Sequence, residues 1–349
     1  MHINASNAIM TKSRTKYGHR LTDDNYREML SITTISDAAA YLKNKSRYSD
    51  VLQNIKESAI HRGNLEAILH SQMFEDFAAL CRFESSVGEH FYEYLLLRGE
   101  TEQILNFLRF FQSGHPQDYL FALPDFFNRH TSIDLVALSK IKTYDQILKI
   151  LEHTDFYDVL KNFRPENDEM FDYTLIEAAL DSFLFNHLLK LINKNFKGST
   201  NKELKELFGQ KAELDNIKMI YRAKKYYNAT PDSIRAKLIP HTYLLNSVQQ
   251  NALIATNNAE DVLKTLLQTK YKRFFKENES WSVDHLANVI IYRRARKYIR
   301  FSNNPAVVFA SYIILLEFEI YDITNIIEGI RYHLPPDEIE KLLVKYSAI

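Results

Sequence analysis

The sequence predicts an all-α protein, and three observations carry that prediction. Glycine and proline are scarce, eight of each in 349 residues. The aromatic residues, 21 Tyr and 22 Phe, recur at helical spacings and nowhere sustain the alternation of a half-buried strand. No Asn-Gly or Asp-Gly pair offers a tight hairpin turn.

At this length one hydrophobic core gives way to two or three domains. An apolar share of 46% with 25% charged residues describes a soluble globular chain. Lys plus Arg and Asp plus Glu both total 44, so no global charge draws the protein to nucleic acid or lipid. A single cysteine, Cys81, leaves no internal disulfide framework and fits a reducing compartment. Its place on an apolar helix predicts a buried, inert thiol rather than a nucleophile. The N-terminal MHINASNAIMTKSRTKYGHR lacks the apolar core of a signal peptide. The most lipid-like run, Ala306 to Leu316, is eleven residues long and ends at Glu317. A membrane span needs about 20 apolar residues, so this run predicts a buried core helix in a soluble chain.

In chain order, a polar amphipathic segment leads into RLTDDNYREML. Ser36 and Asp37 then cap the helix AAAYLKNKSRYSDVL. LEAILHSQMFEDFAALCRF, FYEYLLLRG and ETEQILNFLRFF follow, and Gly114 and Pro116 break the pattern. The same order returns. TYDQILKILEHTDFYDVL opens on a Thr143–Gln146 capping box, and its TDFYDVL lies over the earlier SRYSDVL. IEAALDSFLFNHL lies over LEAILHSQMFEDF, a polar insertion around KGSTNKELKE follows, and ELDNIKMIYR closes the unit. A third passage gives NNAEDVLKTLLQTKYKRFF, then VDHLANVIIYRR, then YDITNIIEGIR. Its last helix carries Ile323, Ile326, Ile327 and Ile330 on one stripe, and Gly329 inside that helix marks a close approach. Pro335 and Pro336 stop it, and Asp337 and Glu338 open the next helix with the acids its N-terminus favours.

The closing arginines Arg109, Arg222 and Arg331 lie 113 and 109 residues apart. That period is too long for a helical-hairpin solenoid of about 34 to 47 residues. It predicts three related helical domains, 1–115, 116–230 and 231–349, in a pseudo-threefold arrangement. The three arginines are expected at equivalent places, capping or pairing at helix C-termini.

Catalytic patterns are missing. The twelve histidines make no HExxH, and His61 and His70 have no partner at metal-ligand spacing. Eight scattered glycines build no phosphate cradle, and no GxSxG or Cys–His arrangement marks a nucleophile. The acidic clusters DDNYRE and PENDEM lack calcium-loop spacing and read as solvated turns. No DDxxD line suits a magnesium-dependent helical enzyme. No catalytic residue, cofactor or metal is therefore expected. The sharpest charge feature is YRRARKYIRF, where Arg293, Arg296 and Arg300 recur at helical spacing. It reads either as a solvated face paired with nearby acids or as a face for an acidic partner.

RYSDVL with LEAIL, IEAALD, and above all SNNPAVVFASYIILLEFEIYDITNIIEGIRYHLPPDEI resemble one rotary-ATPase family. Its members are the central-stalk components designated C in archaeal and bacterial A/V-type ATPases and d in V-ATPases. The resemblance runs over essentially the whole chain and is loosest at SWSVDHLANV. It implies a funnel of three similar helical domains, without catalytic residues, on the cytoplasmic face of the membrane. Its implied partners are the central shaft subunits and the membrane rotor ring of c- or K-type subunits. The function it implies is coupling of shaft to ring during H⁺ or Na⁺ transport driven by ATP hydrolysis, or during ATP synthesis. One asymmetric shaft needs one copy per rotor, so a monomer is expected in isolation. The rival readings are a cytosolic helical-repeat scaffold and a metal-dependent helical enzyme.

Overall fold

The structure, a computed structural model, describes residues 2–56, 62–87, 91–119, 131, 133–166, 170–275 and 282–348. They are helices and connections, with no strand among them. After α1 (His2–Gly18), short and long helices alternate in one pattern used three times. The first trio of short helices is α2 (Asp23–Leu30), α3 (Ile35–Lys45) and α4 (Ser49–Leu52), followed by the long pair α5 (Arg62–Val87) and α6 (Phe91–Gln112). The second trio is α7 (Leu135–Leu138), α8 (Tyr144–Ile150) and α9 (Asp155–Leu160), followed by α10 (Tyr173–Asn195) and α11 (Gly198–Tyr226). After α12 (Pro231–Arg235) come α13 (Ser247–Ile254), α14 (Ala259–Leu266) and a 3₁₀ turn at Lys270–Phe274, then α15 (Val283–Phe301) and α16 (Pro305–Arg331). The chain ends in α17 (Pro336–Leu342) and α18 (Val344–Ser347).

Short helices cannot sustain themselves by propagation, and side-chain caps open several of them. Thr22 with Asn25, Thr143 with Gln146 and Asn246 with Gln249 form reciprocal capping boxes at the starts of α2, α8 and α13. The cap of α3 is Thr34, whose hydroxyl accepts from the Asp37 N–H, rather than Ser36 or Asp37 as the sequence suggested. Asp37 instead lies in the first turn, where its charge suits the helix dipole. The polar stretch KGSTNKELKE, an insertion relative to the first passage, is helical. It is the first turns of the 29-residue α11, opened at Gly198 with φ +57°.

The helices group into two compact units, Met1–Glu89 with Asp284–Ile349, and His90–Val283. These packing units are out of register with the sequence repeat. In the terminal unit, α16 of the third passage packs on α1, α3 and α5 of the first. In the central unit, α6 of the first passage packs on α10 of the second, and α11 of the second on α14 of the third. A closing helix thus associates with the trio and opening long helix that follow it in sequence. For α16 those are the elements at the chain's beginning.

The core of the terminal unit is α16, whose residues from Ala306 to Leu316 are all buried. Burying one such Ile or Leu side chain contributes about 1.5–3 kcal/mol, which makes this helix the unit's main apolar asset. No helix among the described residues is long and apolar enough to cross a membrane. Gly329 shows why a glycine interrupts the isoleucine stripe. A Cβ there would lie 2.4 Å from Cγ1 of Ile339, which α17 presses against α16. The chain reverses between the two helices at His333, φ +55°, and Pro336 takes the first turn of α17 with Asp337 and Glu338. Gly329→Ala is expected to destabilise the terminal unit by about 1–3 kcal/mol through overpacking, measured by urea denaturation. An unchanged midpoint would mean that Ile339 moves aside freely.

Candidate functional site: the closing helices and their clefts

Each closing helix carries an acid nine residues before its arginine and an amide six before it: Glu100 and Gln103, Glu213 and Asn216, Asp322 and Asn325. The acids are 8%, 0% and 1% exposed, so their oxygens must find donors inside the protein. They find them on the chain segment that comes after the helix. Glu213 accepts from the backbone N–H groups of Tyr243, Leu244 and Leu245 at 2.6, 2.8 and 3.0 Å and from the Tyr271 hydroxyl at 2.7 Å. Asp322 accepts from the N–H groups of Val344 and Lys345 at 2.8 and 3.0 Å. Glu100 accepts from the Thr131 hydroxyl at 2.8 Å, and Thr131 in turn accepts from the N–H of Ile133. The amides hold the same segments. Asn216 both donates to the Ile239 carbonyl and accepts from the Ile239 N–H, each at 2.8 Å. Gln103 accepts from the Tyr119 hydroxyl at 3.3 Å, and Asn325 donates to the Leu342 carbonyl at 3.3 Å.

Ile133 and Leu245 each stand immediately before the N-cap of the next trio, as Leu21 does before Thr22. Leu21 uses the same device. Its N–H donates to Glu319 of α16 at 2.7 Å, and the Tyr48 hydroxyl donates to the same carboxylate at 2.9 Å. Tyr48 occupies in SRYSDVL the place that Tyr271 holds in TKYKRFF. On α16, Glu319 therefore holds the first trio as Glu213 holds the third, and Asp322 in addition holds the C-terminal tail. Burial pushes Asp322 up to about 7, against the pull of its two backbone donors, and also raises Glu319. The tail and first trio also meet directly. Lys345 donates to the Leu21 carbonyl at 3.2 Å, pairs with Asp23 at 2.8 Å and covers the Tyr26 ring at 4.0 Å.

The repeated arginines lie near the ends of these helices. Arg109 donates to the Tyr173 hydroxyl at 2.7 Å and lies 3.6 Å from Glu177, while Arg331 lies 3.9 Å from Glu328. Arg222 lines a cleft of about 410 Å³ formed by α6, α10 and α11. Charges in this cleft largely neutralise one another: Arg98 pairs with Glu102, and Lys211 and Lys218 both pair with Asp215. Burial alone would raise Asp215, but these two ammonium groups hold it below its ordinary value. Desolvation in the cleft, with Asp215 and Glu177 nearby, pushes Asp181 up to about 6. Asp215 thus answers Lys211 and Lys218, and Glu102 answers Arg98.

The arginines of the α15 basic stripe differ in their contacts. Arg293 is turned to the C-terminus, donating to the carbonyls of Ser347 and Ala348 at 3.0 and 3.3 Å. Arg296 and Arg300 instead line a second cleft, with Arg20 and Lys345. Of the acidic clusters, Asp23 and Asp24 open α2 and pair with Lys345 and Arg27, whereas residues 167–169 of PENDEM lie outside the described residues, as does His61. Among the described residues no three His, Cys, Asp or Glu side chains converge as a metal site. Cys81 is half-buried rather than buried as its apolar surroundings suggested.

The sequence profile of the ATP synthase (C/AC39) subunit family matches residues 9–342. The chain belongs to that family. It is similar to the C subunit of the A-type ATP synthase of Pyrococcus abyssi, 22% identical over 336 residues, which cover 93% of this chain and 86% of that protein. The corresponding protein of Pyrococcus horikoshii is also 22% identical, over 93% of this chain and 86% of its own length. That of Methanobrevibacter smithii is 27% identical over 139 residues, 40% of this chain and 35% of that protein. In this member, what recurs with the helical pattern is structural. The buried acid of each closing helix and the amide that follows it were missed by motif reasoning, although their signal, an acid and an amide at fixed distances before each arginine, stands in the three aligned lines.

Proposed function

We propose that this ATP synthase subunit is the non-catalytic central-stalk component of a rotary A/V-type ATPase, joining the rotating shaft to the membrane rotor ring. The observation that carries the reading is the family match over nearly the whole chain. The repeated internal anchors fit the mechanical task. A part that transmits torque must not flex at its joints, and close-packed helices are stiff. Here the chain that returns after each closing helix is held by a buried carboxylate and by a nearby amide. That α16 receives the first trio, as α11 receives the third, suits three equivalent modules in a pseudo-threefold socket.

In this role the chain works as one copy per motor on the cytoplasmic face, held peripherally through the ring, while ATP hydrolysis or synthesis proceeds in other subunits and H⁺ or Na⁺ passes through others again. Affinity-tagged chain expressed in its own cell should capture the membrane ATPase from detergent extract, and the isolated chain should sediment as a monomer. Capture of no ATPase subunit, with the tag accessible, would defeat the proposal. A cytosolic scaffold would give that result.

A further inference from the structure

Three guanidinium groups of the terminal unit surround a cleft of about 260 Å³ with no carboxylate of the described residues within ion-pair distance of them. Arg20 reaches it from the bend just after α1, and Arg296 and Arg300 from successive turns of α15. The one acid in the lining, Asp23, is already paired with Lys345, also in the lining, at 2.8 Å. Arg20 is held in place by its own backbone, donating to the Tyr17 carbonyl at 3.0 Å and lying 4.3 Å over the Tyr17 ring. Elsewhere the chain pairs helix cations with acids three or four residues away, as in Arg27–Asp24, Arg98–Glu102 and Lys264–Asp261. Arg296 and Arg300 are instead a like-charged pair at that spacing, which weakens a helix. In a chain whose formal charges cancel, this is a local excess of positive charge placed around a concave surface. Phe301, which follows Arg300 in sequence and stands outside the cleft lining, ends the helix and is 75% exposed.

We propose that Arg20, Arg296 and Arg300 receive the carboxylates of an acidic segment of a protein partner, with Phe301 as the apolar anchor beside them. The forked guanidinium matches a carboxylate through two parallel hydrogen bonds. An exposed aromatic next to arginines is the composition of a protein-binding hot spot, and a bare phosphate would make no use of it. Arg293 is not part of the receptor, since its donors serve the C-terminal carbonyls. The inference rests on the stalk reading only for the partner's identity, another subunit of the ATPase.

The test uses the full chain and a fluorescent peptide bearing several glutamates and two leucines, read by polarisation. Wild type should bind it, more weakly as salt rises. Arg296→Glu with Arg300→Glu should weaken binding at least about tenfold, and Phe301→Ala about fivefold. Lys297→Glu with Lys341→Glu, the same change in net charge outside the cleft lining, should stay within about twofold because distant exposed charges are screened. If the Glu pair alters the circular dichroism spectrum, Arg296→Gln with Arg300→Gln replaces it. Peptide binding unaffected by the arginine changes, or by Phe301→Ala, overturns the proposal. So does arginine-dependent binding of inorganic phosphate or phosphatidylglycerol vesicles without binding of the peptide. The same variants, tagged, are then used to capture the ATPase. Capture by wild type and its loss in the arginine variant support the proposal, while undiminished capture by the variant overturns it. If wild type binds the peptide through these arginines yet captures no ATPase, the receptor stands and the stalk reading falls.

Discussion

Asp76→Ala is expected to destabilise the terminal unit by about 3–5 kcal/mol, the cost of leaving a buried charge without its partner. Asp76 projects from α5, its side chain 3% exposed, and its two oxygens gather four elements. One oxygen takes the Lys16 ammonium of α1 at 2.5 Å and the Gln72 amide of α5 at 3.2 Å. The other takes the guanidinium of Arg47, from the turn before α4, and the hydroxyl of Tyr312 on α16. The Arg47 side chain is 9% exposed and also donates to the Tyr312 hydroxyl at 2.8 Å. With the acid gone, the guanidinium keeps only neutral hydrogen-bond acceptors, the Lys16 carbonyl and the Tyr312 hydroxyl, and Glu319 is left to offset its charge through space. Amide hydrogen exchange should localise the effect, with protection lost in 2–87 and 284–348 and retained in 91–275. Replacing both partners by apolar residues, Arg47→Met with Asp76→Leu, should recover much of the loss, because the penalty lies in the uncompensated charge rather than in a large net gain from the pair. A loss below about 1 kcal/mol for Asp76→Ala would mean that water reaches Arg47 and solvates it.

The helical class, the Thr143–Gln146 box, the burial of Ala306–Leu316 and the glycine contact at Gly329 were all legible in the sequence. Each follows from local rules: a period, a cap, a length, the absence of a Cβ. The order of the three passages was legible for the same reason, since trio and long pair each leave a local pattern. What was hidden is non-local. Glu213 looks like any helical glutamate until the chain returns 30 residues later, and the donors it meets are backbone N–H groups, which every residue but proline possesses. Arg293 is likewise occupied by carbonyls, not by acids that a charge pattern could reveal. KGSTNKELKE carries little helical signal of its own because Gly, Ser, Thr and Asn favour turns, although the spacing of Leu204 within it and Leu207 just after it belongs to a helix. The register of packing against repeat was hidden most deeply. Similarity marks which segments are equivalent, but not whether a trio docks on the long helix before it or after it.

The buried acids of the closing helices are the direct test of that packing, and Glu213 is the most heavily committed of them. Glu213→Leu is expected to cost the central unit about 3–5 kcal/mol, because four donors lose their acceptor together. Each orphaned buried donor costs about 1–3 kcal/mol, and the total stays below the plain sum because Tyr243 and Leu244 are half-buried and can relax toward water. Leu245 and Tyr271 are 4% and 2% exposed and cannot. Tyr271→Phe, which removes one donor and leaves the three backbone bonds, should cost only about 1 kcal/mol. In the double variant the tyrosine change should add little, since its acceptor is already gone, and the shortfall from additivity measures the coupling. Denaturant melts of the four proteins supply the cycle, and hydrogen exchange at residues 239–245 reports whether the return segment has come loose. Full additivity, or unchanged protection of that segment, would show that it is held by apolar packing alone. Asp322→Leu has two backbone donors to orphan instead of four and should cost less. Its effect should appear first as lost protection in 342–348, the tail that Arg293 and Asn325 also hold.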